Sequence, residues 1–330
     1  MKVLYIGGTG EISASCVKES IKQGHDVAVF NRGKRAGQLP DGVELITGDL
    51  NDDAAYKKIA QREFDVICQF FIFDPAQAER DIKFFSGHTG QYVFISTASA
   101  YQKPFDRFEV ITEETPLNNI YWEYSQKKTA MEKILFDAYN SGRLPLTVIR
   151  PSHTYRENFP MPMFDGDWTA QRMLDGKPVL VPGDGTSLWT LTHADDFAKP
   201  FARLLGNDRA IGEAFHITRD EPYTWLEIMT AMSSALGVEL HYVAVASETI
   251  VRYLPQYIGD ILGDKTPSTV FNNDKVKRVA GNFSCDVSLE AGMAGVVRAF
   301  RERAAGLQPH PDFDTACDRI ITDQQALAGN

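Results

Sequence analysis

The chain has 330 residues, a mass of 36.8 kDa and a formal net charge of −10. Roughly 150 residues per domain makes two domains the simplest expectation, and the acidic balance argues against a nucleic-acid backbone as the partner. The four dispersed cysteines and seven histidines have neither disulfide nor metal-ligand spacing, and no apolar stretch approaches the roughly 20 residues of a membrane helix. We therefore expect a cytoplasmic protein without a metal centre or a membrane span.

Short strand patterns alternate with helical patterns through the first half of the chain. The strand patterns cover residues 3–6, 26–30, 43–46, 66–69, 92–96 and 146–149, and the helical patterns cover residues 12–23, 54–62, 76–85 and 125–139. This alternation predicts βαβ units, and strands that are apolar throughout, such as VAVF at 27–30, suit a sheet covered on both faces. The predicted fold class is therefore α/β, with a doubly wound, Rossmann-like parallel sheet.

The pattern changes after Arg150, where five prolines lie between residues 151 and 182. A helix over 195–205 and a strand over 214–218 resume the alternation, and a helix over 224–236 ends at Gly237. We expect residues 1–155 and 188–218 to form a dinucleotide-binding domain. Residues 156–187 and 219–330 then form a smaller, mostly helical substrate-binding lobe, whose end from about Asp323 we expect to be frayed.

A glycine-rich turn, GGTGEIS at residues 7–13, lies between the first strand and the first helix. Glycines at such a turn let the backbone approach a pyrophosphate, which then rests on the positive end of the helix. Ser13 replaces a third glycine and is small enough for close packing. Because a carboxylate would repel a diphosphate, we expect Glu11 to point outward. The predicted cofactor contacts here are Gly7, Thr9, Gly10, Glu11 and Ile12.

The loop after the second strand is basic rather than acidic. An NAD site usually has a carboxylate at this strand end to hold the ribose 2′-hydroxyl, whereas this chain continues with Asn31, Arg32, Lys34 and Arg35. A guanidinium suits a 2′-phosphate, so we predict NADP, with NAD as the alternative. A merely solvated basic loop is the other interpretation. Asp49 and Leu50, after the third strand, are expected near the adenine in folds of this kind.

A YxxxK pair, Tyr124 and Lys128, opens a predicted helix after the fifth strand. Four-residue spacing places both side chains on one helical face, and a neighbouring ammonium lowers the pKa of a phenol. The tyrosine can then exchange a proton with a substrate oxygen while a nicotinamide exchanges hydride. Ser96 and Thr97 end the fifth strand and offer a hydroxyl to brace the same oxygen.

In this order, the motifs resemble an extended short-chain dehydrogenase/reductase of the NAD-dependent epimerase/dehydratase family. The matching segments are GGTGEIS at 7–13, GDL at 48–50, ISTASAY at 95–101, YSQKK at 124–128, RPSHTY at 150–155, GDGTSLWTLTHADD at 183–196 and FNNDKVKR at 271–278. Each segment is weak alone. Together they span nearly the whole chain and are specific for the family, though not for a substrate.

The resemblance implies roles for individual residues. Tyr124 is the acid/base, Lys128 binds the ribose, and Thr97 takes the hydroxyl position in preference to Ser96. The nicotinamide is expected near Pro151. Substrate contacts are expected at Ser152 and at His153, which stands where the family has asparagine.

Further departures from the family concern the substrate side. Sugar dehydratases of this family follow the threonine with Asp-Glu, but Ala98 and Ser99 stand here, which argues against 4,6-dehydration and leaves Ser99 as a substrate contact. The arginine that grips a nucleotide diphosphate is replaced by Trp189, either a core residue or the floor of an apolar pocket.

Phe70 and Phe71 follow the fourth strand, where relatives have small residues beside the cofactor. Phe70 is therefore a predicted cofactor contact, and Phe71 could crowd that edge of the cofactor site.

The main hypothesis is an NAD(P)-dependent oxidoreductase or epimerase acting at a hydroxyl or carbonyl carbon of a small substrate, with sugar-like compounds among the candidates. The alternative is a catalytically altered dinucleotide-binding protein with an RNA-binding or regulatory role, since chloroplast stem-loop RNA-binding proteins share the fold and resemble residues 31–34. The charge of −10 and the intact Tyr124–Lys128 pair weigh against that alternative. Family members often pair through helices equivalent to 76–85 and 125–139, so we expect a homodimer.

Overall fold

The computed structural model describes residues 1–162 and 166–328, with side chains to residue 326. The strands are β1 (Lys2–Ile6), β2 (Asp26–Asn31), β3 (Glu44–Thr47), β4 (Phe64–Gln69), β5 (Thr89–Ile95), β6 (Leu146–Pro151), β7 (Thr154–Tyr155), β8 (Val179–Pro182), β9 (Leu188–Trp189), β10 (Thr192–His193), β11 (Glu213–Ile217), β12 (Tyr223–Thr224) and β13 (Tyr242–Val245). The helices are α1 (Ser13–Lys22), α2 (Asp53–Ala60), α3 (Pro75–Phe85), α4 (Glu123–Asn140), α5 (Gly166–Leu174), α6 (Ala194–Leu204), α7 (Trp225–Leu236), α8 (Ser247–Tyr253), α9 (Ile258–Asp260), α10 (Asp274–Ala280), α11 (Leu289–Ala304) and α12 (Pro311–Ala328).

One seven-stranded parallel sheet organises the molecule, in the order β11-β6-β5-β4-β1-β2-β3. Its inner strands are apolar on both faces because helices cover both. Ile59, Phe85 and Leu135 of α2, α3 and α4 pack on one face, while Val17 and Phe197 of α1 and α6 pack on the other. The prediction of a doubly wound parallel sheet is confirmed, and chain order reverses between β1 and β4, where such sheets bind ligands.

The C-terminal part of the chain is mostly helical, as expected. Its apolar cluster includes Trp225 and Met229 of α7, together with Met293 and Phe300 of α11. Gly237 ends α7 at φ 81°, as predicted from the sequence, and a capping box that was not predicted starts the helix. The short strands β8 and β13 pair in parallel beside these helices and were not predicted, because runs of four residues carry little periodicity.

The expectation of a frayed end from about residue 323 is wrong for the described residues. Helix α12 continues to Ala328, and the Tyr253 hydroxyl donates a hydrogen bond to Asp323 at 2.5 Å. None of the four cysteines forms a disulfide in the part of the chain that the structure describes. Among the described helices, none combines the length and the apolarity needed to cross a bilayer.

Candidate active site

A cleft of about 820 Å³ opens at the carboxyl ends of the central strands. Most residues predicted to bind the cofactor or to react line this one cleft: Gly7, Thr9, Gly10, Glu11, Ile12, Asn31, Arg32, Lys34, Asp49, Leu50, Phe70, Ser96, Thr97, Tyr124, Lys128, Pro151 and Ser152. Five further lining residues have no role predicted from the sequence: Gly48, Asn51, Phe73, Gln77 and Ile95. The first three lie in loops, which no periodic pattern marks, whereas Gln77 lies in the first turn of α3 and Ile95 ends β5.

The glycine turn has the geometry that a diphosphate requires. Gly7 has φ +107°, and a Cβ on Gly8 would lie 2.7 Å from Val29, so the turn and the close helix packing both need glycine. A Cβ on Gly10 would meet only the Ser13 Oγ, at 3.2 Å, and would otherwise project into open space. No described side chain caps the start of α1, so the positive end of this helix is available to an anion. The turn therefore fits a dinucleotide.

Ser13 braces the turn from within. Its Oγ accepts a hydrogen bond from the Gly10 N–H at 2.8 Å and donates one to the Gly7 carbonyl at 3.3 Å. The side chain is buried, so serine at the place of the third glycine packs closely and also ties the turn together.

The Glu11 carboxylate has partners that the sequence did not indicate. Its Oε1 accepts hydrogen bonds from the backbone N–H groups of Arg156, Glu157 and Asn158, at 2.6, 2.6 and 2.9 Å. Its Oε2 accepts one from the Asn158 side chain at 3.0 Å. The carboxylate is therefore bound to the segment that follows β7 rather than left facing solvent.

The basic loop after β2 lies at the cleft. Asn31 Oδ1 accepts a hydrogen bond from the Gly33 N–H at 2.7 Å, while the buried Asn31 Nδ2 has no hydrogen-bond partner among the described residues. Arg32 and Lys34 are exposed and line the cleft. Arg35 reaches back to the Thr9 carbonyl at 3.4 Å. An unpartnered donor beside three cations suits an anionic group on the cofactor.

Helix α4 places Tyr124 and Lys128 on one face at the opposite end of the cleft. Lys128 is 2 % exposed, and its Nζ donates hydrogen bonds to the carbonyls of Ile72 at 2.9 Å and Ile95 at 2.8 Å. Thr97 lies beside the phenol and hydrogen-bonds with it. The YxxxK pair and the end of β5 thus lie together, in the same cleft that the glycine turn lines at its other end.

The expectation that Lys128 lowers the pKa of the Tyr124 phenol is wrong for this structure. Burial raises the pKa of Tyr124 to about 12, opposed by the hydrogen bond with Thr97 and reinforced by the nearby Asp264 carboxylate. Burial also lowers the pKa of Lys128 to about 7. The ammonium lies 5.9 Å from the phenol ring centroid and is directed at two carbonyls. Desolvation outweighs the charge effect that the spacing suggested.

A buried ion pair supports helix α4, which carries Tyr124 and Lys128. Glu132, two turns after Tyr124, pairs with Arg150 at 2.7 Å and accepts a hydrogen bond from Ser96 Oγ at 2.5 Å. The Ser96 hydroxyl is thus committed to Glu132. Thr97, the residue that the family resemblance preferred, keeps its hydroxyl at Tyr124.

A row of aromatic rings forms one side of the cleft at its reacting end. Ring centroids are 5.4 Å apart for Phe71 and Phe73, 6.5 Å for Phe73 and Tyr124, and 5.1 Å for Tyr124 and Trp122. Phe71 is 47 % exposed and Phe73 is 44 % exposed. Gln69 fixes the start of this row, because its Oε1 accepts a hydrogen bond from the Phe71 N–H at 2.9 Å.

Three predicted substrate contacts, Ser99, His153 and Trp189, do not belong to the described lining of the cleft. Ser99 is buried, and its hydroxyl bonds Thr97 at 2.9 Å and Ser125 at 2.7 Å. It therefore supports Thr97 from behind, and its role as a substrate contact stays a prediction.

His153 and Trp189 pack together in the C-terminal part. The His153 ring lies 5.9 Å from Trp189 and 6.1 Å from Trp225, and burial holds the pKa of His153 well below its ordinary value, with Lys265 adding to the effect. Trp189 is 1 % exposed and donates a hydrogen bond to the Lys265 carbonyl at 3.3 Å. Of the two interpretations of Trp189, this placement fits the core residue.

Two charged residues that the sequence did not single out, Asp264 and Lys103, interact electrostatically with each other, and Asp264 also acts on the phenol. Asp264 pairs with Lys265. Lys103 is 1 % exposed, and its Nζ lies 3.9 Å from the Phe105 ring centroid without a hydrogen-bond partner among the described residues. Asp264 and Lys265 belong to a π-helical turn, Ile261–Lys265, whose position no sequence pattern reveals.

The parallel sheet, the glycine turn and the shared cleft define a dinucleotide-binding α/β protein, with Tyr124 in the same cleft as the glycine turn. A sequence profile of the NAD dependent epimerase/dehydratase family matches residues 3–218, and the chain belongs to this family. Membership supports oxidoreductase or epimerase activity with a nicotinamide dinucleotide.

Individual relatives are similar over most of the chain. The 2'-dehydrokanamycin reductase of Streptomyces kanamyceticus is 28 % identical over 258 residues, covering 77 % of this chain and 72 % of the reductase. The chloroplast stem-loop binding protein of 41 kDa b from Arabidopsis thaliana is 25 % identical over 256 residues, covering 72 % and 63 %. The UDP-glucuronic acid 4-epimerase from Bacillus cereus, solved with NAD, has the same fold, with a TM-score of 0.73 at 17 % identity over 93 % of this chain and 99 % of that one.

Proposed function

We propose that the protein is an NADP-dependent oxidoreductase that reduces a carbonyl group on a small, sugar-like substrate, with Tyr124 as the proton donor. The observation that carries the proposal is that one cleft is lined both by the glycine turn and by Tyr124, Lys128 and Thr97. When bound, the dinucleotide supplies the hydride. The chain's own residues hold it and move the proton.

The two ends of the cleft have separate tasks in this proposal. The turn at 7–13 and the start of α1 hold the diphosphate. The Lys128 Nζ turns from the Ile72 and Ile95 carbonyls to the ribose hydroxyls, to which its N–H groups donate hydrogen bonds. Thr97 hydrogen-bonds the substrate oxygen and keeps it next to the phenol.

The state of Tyr124 favours reduction. A phenol with a pKa of about 12 carries its proton at neutral pH. As hydride reaches the carbonyl carbon, the C–O π electrons move to oxygen, and Tyr124 delivers its proton there, which yields a hydroxyl group and a phenolate that is reprotonated from solvent. The similarity to 2'-dehydrokanamycin reductase agrees with this direction. Epimerisation uses the same proton step twice and is the alternative outcome.

The preference for NADP rests on the loop after β2. Arg32, Lys34 and Arg35 are cations at the cleft or next to it, and the buried Asn31 Nδ2 still has a donor to offer. A guanidinium binds a 2′-phosphate through paired hydrogen bonds. The strand end has no carboxylate for a free 2′-hydroxyl.

The substrate side argues for a compact, polar molecule rather than a nucleotide sugar. Trp189 at the place of the family's arginine is buried, which leaves the diphosphate of a nucleotide sugar without that anchor. The exposed ring of Phe73, which lines the cleft, can stack on a sugar face. Ala98 and Ser99 replace the Asp-Glu of the sugar dehydratases, so we assign no 4,6-dehydration.

The assembly and the compartment are also part of the proposal. Helices α3 and α4 pack side by side, and we assign their outer faces to a homodimer. The described residues contain no disulfide between Cys16, Cys68, Cys285 and Cys317, which suits the reducing cytoplasm.

Replacement of Tyr124 by phenylalanine tests the proposed role. Tyr124→Phe removes only the hydroxyl, so we expect turnover to fall by about 10²- to 10⁴-fold while calorimetric titration finds unchanged affinity for NADPH. The same titration of the wild-type protein with NADH measures the cofactor preference. Turnover is followed as NADPH oxidation with a panel of cyclic ketones that includes ketosugars.

Tyr139→Phe, at the far end of α4 and outside the described cleft lining, is the matched control and should keep full activity. Wild-type turnover retained by Tyr124→Phe, with cofactor binding intact, would contradict the assignment.

A further inference from the structure

The glycine turn contains a carboxylate that is bound from outside the turn. Glu11 lines the cofactor cleft, yet its two oxygens accept four hydrogen bonds from the segment 156–158, three of them from consecutive backbone N–H groups. Consecutive amides that converge on one point form a nest for an anion. Here the anion is a side chain supplied by the cofactor turn.

The segment 156–158 is itself attached to the C-terminal part of the chain. Arg303 of α11 donates a hydrogen bond to the Glu157 carbonyl at 3.0 Å and pairs with Asp167 of α5 at 2.6 Å. On its other side the segment continues from β7, directly after Pro151 and Ser152 in the cleft wall. The Glu11 carboxylate therefore connects the cofactor turn to the point where the expected substrate-binding lobe begins.

Charge makes this connection stronger than an ordinary loop contact. Hydrogen bonds to an ionised acceptor are roughly twice as strong as those between neutral groups, and three of these four are 2.9 Å or shorter. A rearrangement of the turn would have to break or move all of them together. The turn and the segment 156–158 therefore move as one unit while Glu11 stays in the nest.

We infer that Glu11 is a positioning residue that couples occupancy of the cofactor turn to the geometry of the substrate side. A bound diphosphate orders the turn, the turn holds the carboxylate, and the carboxylate holds the segment 156–158 and the adjoining cleft wall. Such coupling is reciprocal, so bound substrate tightens cofactor binding by the same factor. The substrate half of this inference rests on the proposed function, whereas the coupling to the cofactor does not.

Hydrogen exchange tests the coupling without any substrate. In the wild-type protein we expect NADPH to slow exchange of the amides of Arg156, Glu157 and Asn158 by about fivefold or more. In Glu11→Ala these amides should exchange faster without NADPH and should show no response to it, although NADPH still binds. Glu19→Ala, which removes a carboxylate from α1, the helix that follows the turn, should behave as wild type. Unchanged protection of the three amides in Glu11→Ala would overturn the inference.

Rescue by a small anion separates positioning from a general loss of stability. The empty nest of Glu11→Ala should accept formate, which restores slow exchange of the three amides, whereas chloride at the same ionic strength should not. Glu11→Gln keeps the shape of the side chain without its charge, and should lie between wild type and Glu11→Ala if the latter folds poorly. A formate effect that is absent, or equal to that of chloride, would rule out the anion nest.

Kinetics tests the substrate half. With NADPH saturating, Glu11→Ala should raise the KM for the substrate by about tenfold, within the usual range of coupling between sites, with a smaller change in kcat. Formate should reverse the rise. If exchange responds as expected while KM does not change, the carboxylate couples only to the cofactor and the substrate half is wrong; if Tyr124→Phe is fully active, the proposed function has failed independently.

Discussion

At the scale of single residues, burial dominates the pKa shifts of Tyr124 and Lys128. Desolvation favours the neutral form of both groups, which raises the pKa of Tyr124 to about 12 and lowers the pKa of Lys128 to about 7. The lysine is retained in the cleft although its charge is costly there. Because burial disfavours the charged form of Lys128, the free energy of unfolding depends on pH.

The free energy of unfolding should report on Lys128 through its pH dependence. Between pH 7 and 10.5 the unfolded chain holds a proton on Lys128 that the folded chain lacks, so the lysine's contribution to stability rises with pH across this window and is constant below it. Urea unfolding of the wild type and of Lys128→Met from pH 6.5 to 9.5 should give a difference, wild type minus variant, that rises by up to about 1.4 kcal/mol per pH unit.

Lys127→Met is the matched control, because Lys127 is a solvent-exposed neighbour whose pKa is raised by Glu123 rather than lowered. Its difference from the wild type should be flat over the same range. Parallel curves for the wild type and Lys128→Met would show that the buried ammonium is not neutralised near pH 7.

At the scale of elements, the glycine turn separates folding from cofactor binding. A Cβ at position 8 would lie 2.7 Å from Val29, inside the packing of α1 on the sheet, whereas a Cβ at position 10, in the cleft lining, would meet only the Ser13 Oγ, at 3.2 Å. Glycine is therefore needed at position 8 for the packing of α1 on the sheet, and we expect it to be needed at position 10 for the close approach of the cofactor.

Alanine at each position should distinguish those reasons. Gly8→Ala overpacks the helix against the sheet and should lower the free energy of unfolding by about 1–3 kcal/mol. Gly10→Ala should unfold like the wild type but bind NADPH at least about tenfold more weakly, equivalent to about 1.4 kcal/mol, because the diphosphate needs close approach to the backbone. Thermal unfolding and calorimetry measure the two effects, and equal stability losses in both variants would contradict the distinction.

Regular elements could be predicted from the sequence, and contacts made by loops could not. The strands and helices of the sheet follow from apolar periodicity, and the cofactor residues follow from their position at strand ends. The partners of Glu11, the aromatic neighbours of Tyr124 and the π-helical turn that carries Asp264 depend on how distant loops fold back. The raised pKa of Tyr124 could not be predicted for a related reason: the sequence shows the four-residue spacing of Lys128, but it does not show that both side chains are largely desolvated.

At the scale of the whole molecule, net charge separates the proposed enzyme from the RNA-binding alternative. The similarity to a chloroplast stem-loop binding protein gives that alternative a relative at 25 % identity. The chain nevertheless carries a charge of −10, and the cations of the loop after β2 lie at the cofactor cleft. An anionic surface repels a phosphate backbone over its whole length.

We expect the protein to show no retention on immobilised stem-loop RNA between about 50 and 200 mM salt. A protein that binds the RNA backbone would lose affinity steeply across that range. Binding that depends on salt and is unaffected by NADPH would favour the RNA-binding alternative, whereas binding that NADPH displaces would assign the RNA to the cofactor cleft.

The buried indole pair also limits how this protein can be redesigned. Trp189 and Trp225 both donate to the Lys265 carbonyl, at 3.3 and 2.9 Å, and the Lys265 ammonium lies 5.0 Å from the Trp189 ring centroid. The substitution Trp189→Arg would bury a second cation beside that lysine and remove one of the two indoles. We expect the resulting loss of folding free energy to exceed the binding free energy of one diphosphate contact. An engineer who wants nucleotide sugars in this scaffold must first rebuild the turn that carries Lys265.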